Sequence, residues 1–233
     1  WNRSFTLMPE GPPKGAVVLL HGLTDAPYSL RHVAEFYRSR GYVAVGIRMP
    51  GHGTVPGGLE RAEWPQWMAA TRLAIREAER LAGPEKPLDI VGYSNGGALA
   101  MVYAADALDN PTLSAPDHVV LLSPMVGLTF FARFAGVAGW PALLPAFDRA
   151  AWFDLLPEYN PFKYNSFPVN GGRQSHLLTA HLRTRLEAIT RSGAIARIAP
   201  VLTFQSVVDS TVSTAAVISG LYDRLPANGS ELV

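Results

Sequence analysis

The chain has 233 residues, of which 48% are hydrophobic and 17% charged, so intrinsic disorder is excluded and one large domain, or one domain with an insertion, is expected. Its 20 Lys and Arg nearly balance its 19 Asp and Glu, so the basic surface that nucleic-acid binding needs is missing and a small, near-neutral ligand is favoured. The absence of cysteine excludes disulfides, thiolate metal sites and a cysteine nucleophile.

Short apolar runs alternate with amphipathic stretches along the chain. The runs predict strands at residues 16–20, 42–47, 88–93, 118–122 and 201–206, and residues 231–233 begin a further strand. The amphipathic stretches predict helices at residues 28–40, 64–81, 96–108, 175–192 and 211–225. Near-continuous apolar strands separated by helices are typical of a parallel sheet covered on both faces. The sequence therefore predicts an α/β fold.

The alternation stops after Pro124. Residues 127–175 contain 11 aromatic but only seven charged side chains, with many Pro and Gly. We interpret this segment as an inserted cap that divides the α/β core into residues 1–126 and 176–233. Its aromatic side chains either form the buried side of a small helical subdomain or line an apolar pocket over the carboxyl edge of the sheet. Phe131 and Trp140 are the candidates for the pocket.

The clearest chemical signal is a G-x-S-x-G pattern, Gly92-Tyr93-Ser94-Asn95-Gly96, between a predicted strand and a predicted helix. In that context the serine sits on a sharp, strained turn that lifts its hydroxyl above the sheet. The helix amino terminus beneath it favours developing negative charge. The other interpretation is a glycine-rich turn with an incidental serine.

This turn resembles the nucleophile elbow of the α/β-hydrolase superfamily, specifically its bacterial carboxylesterase and monoacylglycerol-lipase-like branch. Three more motifs extend the resemblance over nearly the whole chain: Leu20-His21-Gly22-Leu23-Thr24, Pro50-Gly51-His52-Gly53 and Gln205-Ser206-Val207-Val208-Asp209. The resemblance implies an α/β-hydrolase fold. It also implies Ser94 as nucleophile, with an oxyanion hole made by the backbone N–H groups of Leu23 and Asn95.

The resemblance also implies that Asp209 is the acid of the catalytic triad, because it follows a late strand at the carboxyl edge of the sheet. Asp209 could instead cap the helix expected near Val212. His21 and His52 are expected to shape their loops rather than move protons. The remaining histidines carry no motif and are expected to lie on the surface or in packed elements; they are His32, His118, His176 and His181.

These residues together predict a serine esterase that forms an acyl-enzyme on Ser94. The favoured substrate is an uncharged ester or a monoacylglycerol with a short to medium acyl chain. No cofactor and no metal is implied. Two alternatives stay open: an amidase or aminopeptidase of the same fold, and a non-catalytic relative that lacks the triad histidine.

The triad histidine is missing from its expected place. In this superfamily the order along the chain is Ser, acid, His, yet His181 is the last histidine and residues 210–233 contain none. We therefore expect the natural protein to continue beyond Val233 with the rest of a strand, a loop that carries the histidine, and a closing helix.

Localisation is not fixed by the sequence. The longest apolar runs fall far short of the about 20 residues that span a bilayer, so a soluble chain without a membrane span is expected. The chain opens on Trp1 rather than Met, which leaves open that an amino-terminal leader or anchor has been removed. The cytoplasm is favoured, and the oligomeric state is left open.

Overall fold

A twisted, mostly parallel sheet forms the centre of the molecule. The computed structural model describes residues 1–126, 151–209 and 212–233. In these residues seven strands pair in the order β1-β3-β2-β4-β5-β8-β9, and only the β1–β3 pair is antiparallel. Two more strands, β6 and β7, form a separate antiparallel pair. The strands are β1 (Phe5–Leu7), β2 (Gly15–Leu20), β3 (Tyr42–Ile47), β4 (Leu88–Tyr93), β5 (His118–Leu122), β6 (Trp152–Asp154), β7 (Phe167–Pro168), β8 (Val201–Phe204) and β9 (Glu231–Leu232).

Helices cover both faces of this sheet. Side chains at Ala16, Val18 and Leu20 of β2 pack into one core with α2, α3 and α4, whereas Val17 and Leu19 pack against α1 on the other face. The helices are α1 (Arg31–Ser39), α2 (Trp64–Ala82), α3 (Asn95–Ala107), α4 (Val169–Arg191) and α5 (Thr214–Gly220), with short 3-10 turns at 27–30, 56–60, 194–197 and 222–224. The predicted α/β fold is confirmed.

Asp106 ties three of the helices together. Its carboxylate on α3 accepts hydrogen bonds from Arg72 on α2 at 3.0 Å and from Arg185 on α4 at 3.1 Å. All three side chains are at least half-buried, so this ion pair network is screened less than one on the open surface. This network fixes the carboxyl-terminal half of α4 against α3.

Two predicted helix boundaries were wrong. The helix expected at 175–192 begins at Val169, because Asn170 donates to the carbonyl oxygens of Leu59 and Ala62, both at 2.9 Å, and so anchors the first turn. The helix expected at 211–225 starts at Thr214, because Ser213 caps it by accepting a hydrogen bond from the Ala216 N–H, and it is split into α5 and a 3-10 turn at Leu221, whose backbone (φ −127°, ψ −63°) is not helical.

The edge strand β1 was not predicted, because three residues are too few for an alternating pattern. The pocket candidates Phe131 and Trp140 lie outside the described residues. Of the helices in the described ranges, none combines the length and apolar composition needed to cross a bilayer.

Candidate active site

Ser94 lies at the carboxyl edge of the sheet, in the turn between β4 and α3. Its backbone has φ 52° and ψ −113°, a left-handed region that serine rarely adopts and that costs on the order of 1–3 kcal/mol. Three hydrogen bonds hold this turn: the Ser94 N–H donates to the Leu122 carbonyl oxygen at 2.9 Å, and the Ser94 carbonyl oxygen accepts from the Met125 N–H at 3.0 Å and from the Gly97 N–H at 2.9 Å. A glycine would adopt the same backbone without strain. A strained serine held in place by its neighbours is typical of a functional residue rather than of an incidental one.

The glycines around Ser94 allow α3 to start directly against two strands. A Cβ atom on Gly96 would overlap the Leu20 carbonyl oxygen at the end of β2. A Cβ atom on Gly92 would lie 2.5 Å from the Gly96 carbonyl oxygen, and one on Gly97 would lie 2.7 Å from the Pro124 side chain. Real Cβ contacts are essentially never this short, so none of the three positions accepts a side chain without a backbone shift.

The loop after β2 packs against this turn. A Cβ atom on Gly22 would lie 3.2 Å from the Tyr93 ring, so the loop passes beside the residue that precedes Ser94. In the described part of the chain, the backbone N–H groups of Leu23 and Asn95 donate to no protein acceptor. Both residues are buried. Backbone N–H groups without a protein acceptor are rare in buried residues, and two of them beside a strained serine match the donors of an oxyanion hole.

The Asn95 side chain is also fixed. Its Oδ1 accepts a 2.8 Å hydrogen bond from the Ser175 hydroxyl on α4, and both side chains are buried. The same hydroxyl lies 2.8 Å from the Met125 sulfur. The start of α3 is therefore braced by α4, a contact that the sequence pattern did not predict.

His21 holds the loop after β2 and does not contact Ser94. Its Nδ1 faces the Gly22 carbonyl oxygen at 2.9 Å, and its Nε2 accepts a hydrogen bond from the Met49 N–H at 3.1 Å. Complete burial, with a further contribution from His52, lowers the pKa of His21 to about 3. The ring is therefore neutral at physiological pH and bridges two loops.

His52 supports the same loop from the other side. Its Nε2 lies 2.7 Å from the Leu23 carbonyl oxygen and its Nδ1 lies 3.0 Å from that of Pro50. Burial lowers the pKa of His52. A neutral imidazole has one N–H, so only one of the two carbonyls receives a hydrogen bond at a time. These contacts agree with the loop-shaping role expected of both histidines.

Asp209 lies in the turn that follows β8. Its Oδ1 accepts a 3.0 Å hydrogen bond from the Val212 N–H, and its Oδ2 lies 3.4 Å from the Gln205 amide nitrogen. Burial raises the pKa of Tyr93, and the charges of Asp25 and Asp209 raise it further. Asp209 does not cap α5, whose N-cap is Ser213.

No histidine side chain in the described residues, which include all six, hydrogen-bonds to Ser94. His118 pairs with Asp89 at 3.0 Å at the opposite, amino edge of the sheet. His181 packs on the Trp64 ring at 4.8 Å between centroids. His32 and His176 lie on α1 and α4.

Asp25 is a polar residue of the site that the sequence analysis missed. It is only 9% exposed, and none of the described residues donates a hydrogen bond to its carboxylate. Its Oδ2 lies against the Gly22 backbone, and a cavity of about 190 Å³ adjoins it, with Lys163 on the cavity wall. Burial raises the pKa of Asp25 despite the opposing charge of Lys163. No local motif marks this residue, because its surroundings come from distant parts of the chain.

Comparison with known proteins identifies the family of the chain. The family model described as "Serine aminopeptidase, S33" matches residues 11–233. The chain belongs to this family of α/β-hydrolases. A relative, the thermostable monoacylglycerol lipase of Bacillus sp. (strain H-257), is 28% identical over 204 residues, which are 87% of this chain and 73% of that protein. The α/β-hydrolase superfamily and its monoacylglycerol-lipase-like branch, expected from the motifs, are confirmed.

Solved structures share the fold over the whole chain. One comes from work on LipS and LipT, two lipolytic enzymes from a metagenome; it has a TM-score of 0.74 at 21% identity and covers all of this chain and 86% of that one. The monoacylglycerol lipase of Paleococcus ferrophilus has a TM-score of 0.69 at 20% identity, over 99% of this chain and 86% of that one. Among the described residues of the present chain, no three His, Asp or Glu side chains form a group that could hold a metal ion.

The close approach at Gly96 gives a first prediction. Gly96→Ala should destabilise the fold by more than about 3 kcal/mol, or prevent folding, because its methyl group overlaps backbone rather than a side chain that can move. The matched control is Gly57→Ala, where the nearest atom to the new methyl is 3.7 Å away, and it should change stability little. Urea unfolding measures both, and Gly96→Ala with wild-type stability would contradict the packing described above.

Asp25 gives a prediction on pH. Its pKa is raised by folding, so the protonated form stabilises the fold below the unfolded pKa of about 3.9, and that contribution is lost as the pH rises through the folded pKa. Asp25→Asn cannot ionise. The stability of Asp25→Asn minus that of the wild type should therefore increase as the pH rises from the acid range to neutrality. Asp154→Asn, which removes an exposed carboxylate, is the control. A difference for Asp25→Asn that does not change with pH would show that burial imposes no penalty on this carboxylate.

Proposed function

We propose that this protein is a serine hydrolase that cleaves carboxylic esters through an acyl-enzyme on Ser94. The observation that carries the proposal is the strained Ser94 beside the two unpaired backbone donors of Leu23 and Asn95. Donors fixed before the reaction stabilise charge that appears only in the transition state, and losing one such donor typically costs about 10²–10³ in turnover.

In the proposed reaction the Ser94 Oγ forms a bond to the ester carbonyl carbon while a histidine takes its proton. The carbonyl oxygen becomes an oxyanion that accepts hydrogen bonds from the Leu23 and Asn95 N–H groups. The C–O bond to the alcohol then breaks, and the alcohol leaves with the proton from the histidine. Water repeats the sequence on the acyl-enzyme and releases the carboxylic acid.

Asp209 is the proposed acid that orients this histidine. Its place in the turn after β8, at the carboxyl edge of the sheet, supports the role. The alternative of a helix cap loses support, because Ser213 caps α5.

The histidine of the triad is the part of the proposal that no residue of the printed sequence supplies. Four of the six histidines have partners elsewhere, and the other two lie on α1 and α4 without a bond to Ser94. Next to β8, which leads to Asp209, the Val233 N–H donates to the Thr203 carbonyl oxygen and the Val233 carbonyl oxygen accepts from the Gln205 N–H.

Esters are favoured over amides because the Bacillus relative and the two solved neighbours carry names of lipolytic enzymes. The proposed substrate is an uncharged ester or a monoacylglycerol with a short to medium acyl chain, bound without a cofactor. The apolar composition of residues 127–175 supports this choice, with Phe131 and Trp140 as the proposed acyl pocket. The aminopeptidase alternative has the family's description in its favour.

The nucleophile is tested by Ser94→Ala in the full-length protein, assayed on esters of increasing acyl length and on the matching amides. Turnover should fall by several powers of ten while the fold stays intact, because the attacking atom is gone. The matched control is Ser123→Ala, which also removes a hydroxyl from a residue with positive φ, here 43°, and should leave turnover within a few-fold.

Near-normal turnover of Ser94→Ala would contradict the serine mechanism. Faster turnover of amides than of esters by the wild type would replace the esterase proposal with the aminopeptidase alternative. A full-length wild type that turns over neither would indicate a non-catalytic member of the family.

The acid is tested by Asp209→Asn. The new amide keeps an oxygen that can accept from the Val212 N–H, so the turn should survive, but the charge that orients the histidine is lost. Turnover should fall by roughly 10⁴. Ser213→Ala, the control, removes the real cap of α5 and should lower stability by about 1 kcal/mol without that loss of turnover. A loss of only a few-fold in Asp209→Asn would assign Asp209 a structural role.

A further inference from the structure

Tyr164 connects the two loops that surround the proposed oxyanion hole. It is 8% exposed and lies in the segment between β6 and β7. Its backbone N–H donates to the Thr24 carbonyl oxygen at 2.8 Å, in the loop after β2. Its hydroxyl accepts from the Thr54 N–H at 3.0 Å and donates to the Gly51 carbonyl oxygen at 3.2 Å, in the loop after β3. One side chain and its own backbone therefore fix both loops.

The backbone contact and the hydroxyl contacts of Tyr164 both hold the chain around Leu23. The Thr24 carbonyl belongs to the residue directly after Leu23, so the Tyr164 N–H holds the chain on that side. The loop that the Tyr164 hydroxyl holds carries His52, which lies between Gly51 and Thr54 and contacts the Leu23 carbonyl oxygen at 2.7 Å. The rings of Tyr164 and His52 are nearly parallel, 10° apart with centroids at 6.4 Å.

The backbone contact between the segment of Tyr164 and the loop after β2 extends by one residue beyond Thr24. Lys163 and Asp25 form an isolated antiparallel backbone bridge, so the chain at Lys163 runs antiparallel to the chain at Asp25. Trp67 and His21 hold other points of the loop after β3. Trp67 donates to the Pro50 carbonyl oxygen, and His21 accepts from the Met49 N–H. Tyr164 differs from them because it comes from the segment between residues 127–150 and α4, far along the chain from both loops.

We propose that Tyr164 is a positioning residue that holds the Leu23 N–H at the place where the oxyanion forms. This inference rests on the proposed function. An oxyanion donor works only at about 2.7–3.1 Å from the developing charge, and a displacement of about 1 Å can cost 10²-fold in rate. Tyr164 does not touch the substrate in this role. It acts through the backbone of the loop.

The test is Tyr164→Phe in the full-length protein, which removes only the hydroxyl. The kcat should fall on the order of 10-fold with KM within about two-fold, because the donor acts in the transition state and not in the bound ester. A trifluoromethyl ketone, which adds to Ser94 and forms an oxyanion, should bind more weakly by the same factor as kcat/KM. The corresponding methyl ketone, which largely remains an unreacted carbonyl compound, should bind as it does to the wild type.

Tyr103→Phe is the matched control. Tyr103 is 1% exposed and its hydroxyl donates to the Ser114 carbonyl oxygen at 3.0 Å, so this variant also removes a hydroxyl that binds backbone from a buried tyrosine, with one hydrogen bond lost where Tyr164→Phe loses two. It should lower the thermal midpoint without changing kcat or the trifluoromethyl ketone affinity. Should Tyr164→Phe fail to fold, Thr54→Pro removes the N–H that donates to the hydroxyl and carries the same measurements.

Three results would overturn the role of Tyr164. These are an unchanged kcat, equal weakening of both ketones, and equal losses of kcat in Tyr164→Phe and Tyr103→Phe. Each of these results counts only if the turnover of the wild type depends on Ser94. If that dependence is absent, the proposed function fails; if it is present and Tyr164→Phe behaves as the wild type, only the inference about Tyr164 fails.

Discussion

The contact between Gly96 and the end of β2 determines the geometry of the site. Because α3 begins against the Leu20 carbonyl oxygen, there is no space for a side chain at position 96, and the chain must turn sharply from β4 into the helix. That turn forces Ser94 to a positive φ and leaves the Asn95 N–H at the first position of α3, where no helical carbonyl can receive it. The same contact brings the loop with Leu23 beside the turn. The positions of the proposed nucleophile and of both proposed donors thus follow from one close backbone approach.

Buried polar groups hold the loops that complete the site in place. Their burial lowers the stability of the fold. His21 and His52 give up hydration to bind backbone atoms of the loops after β2 and β3. Asp25 is buried with no hydrogen-bond donor among the described residues, and such groups usually destabilise a fold. Unfavourable burial beside a strained serine fits a functional site, where local stability is given up for a fixed arrangement of polar groups.

Local patterns were enough to predict most of the core. The strands β2 to β5 are continuous apolar runs because helices cover both of their faces, and the elbow could be recognised because its glycines are spaced to meet steric limits within a few residues. The start of α4 was not predictable in this way. The sequence Pro168-Val169-Asn170-Gly171-Gly172 reads as a loop, and it becomes helical because Asn170 finds carbonyl acceptors in a distant turn. Asp25 and Tyr164 were missed for the same reason, since their environment depends on pairing between segments far apart in sequence.

The central claim is that the protein uses Ser94 as an activated nucleophile. Its most direct test is reaction of the full-length protein with a fluorophosphonate, which bonds covalently to an activated serine, followed by peptide mass spectrometry to locate the label. The account predicts one label per chain, on the peptide that carries Ser94, and none after heat denaturation. Absence of the label from the folded protein, or its attachment to a different serine, would contradict the account.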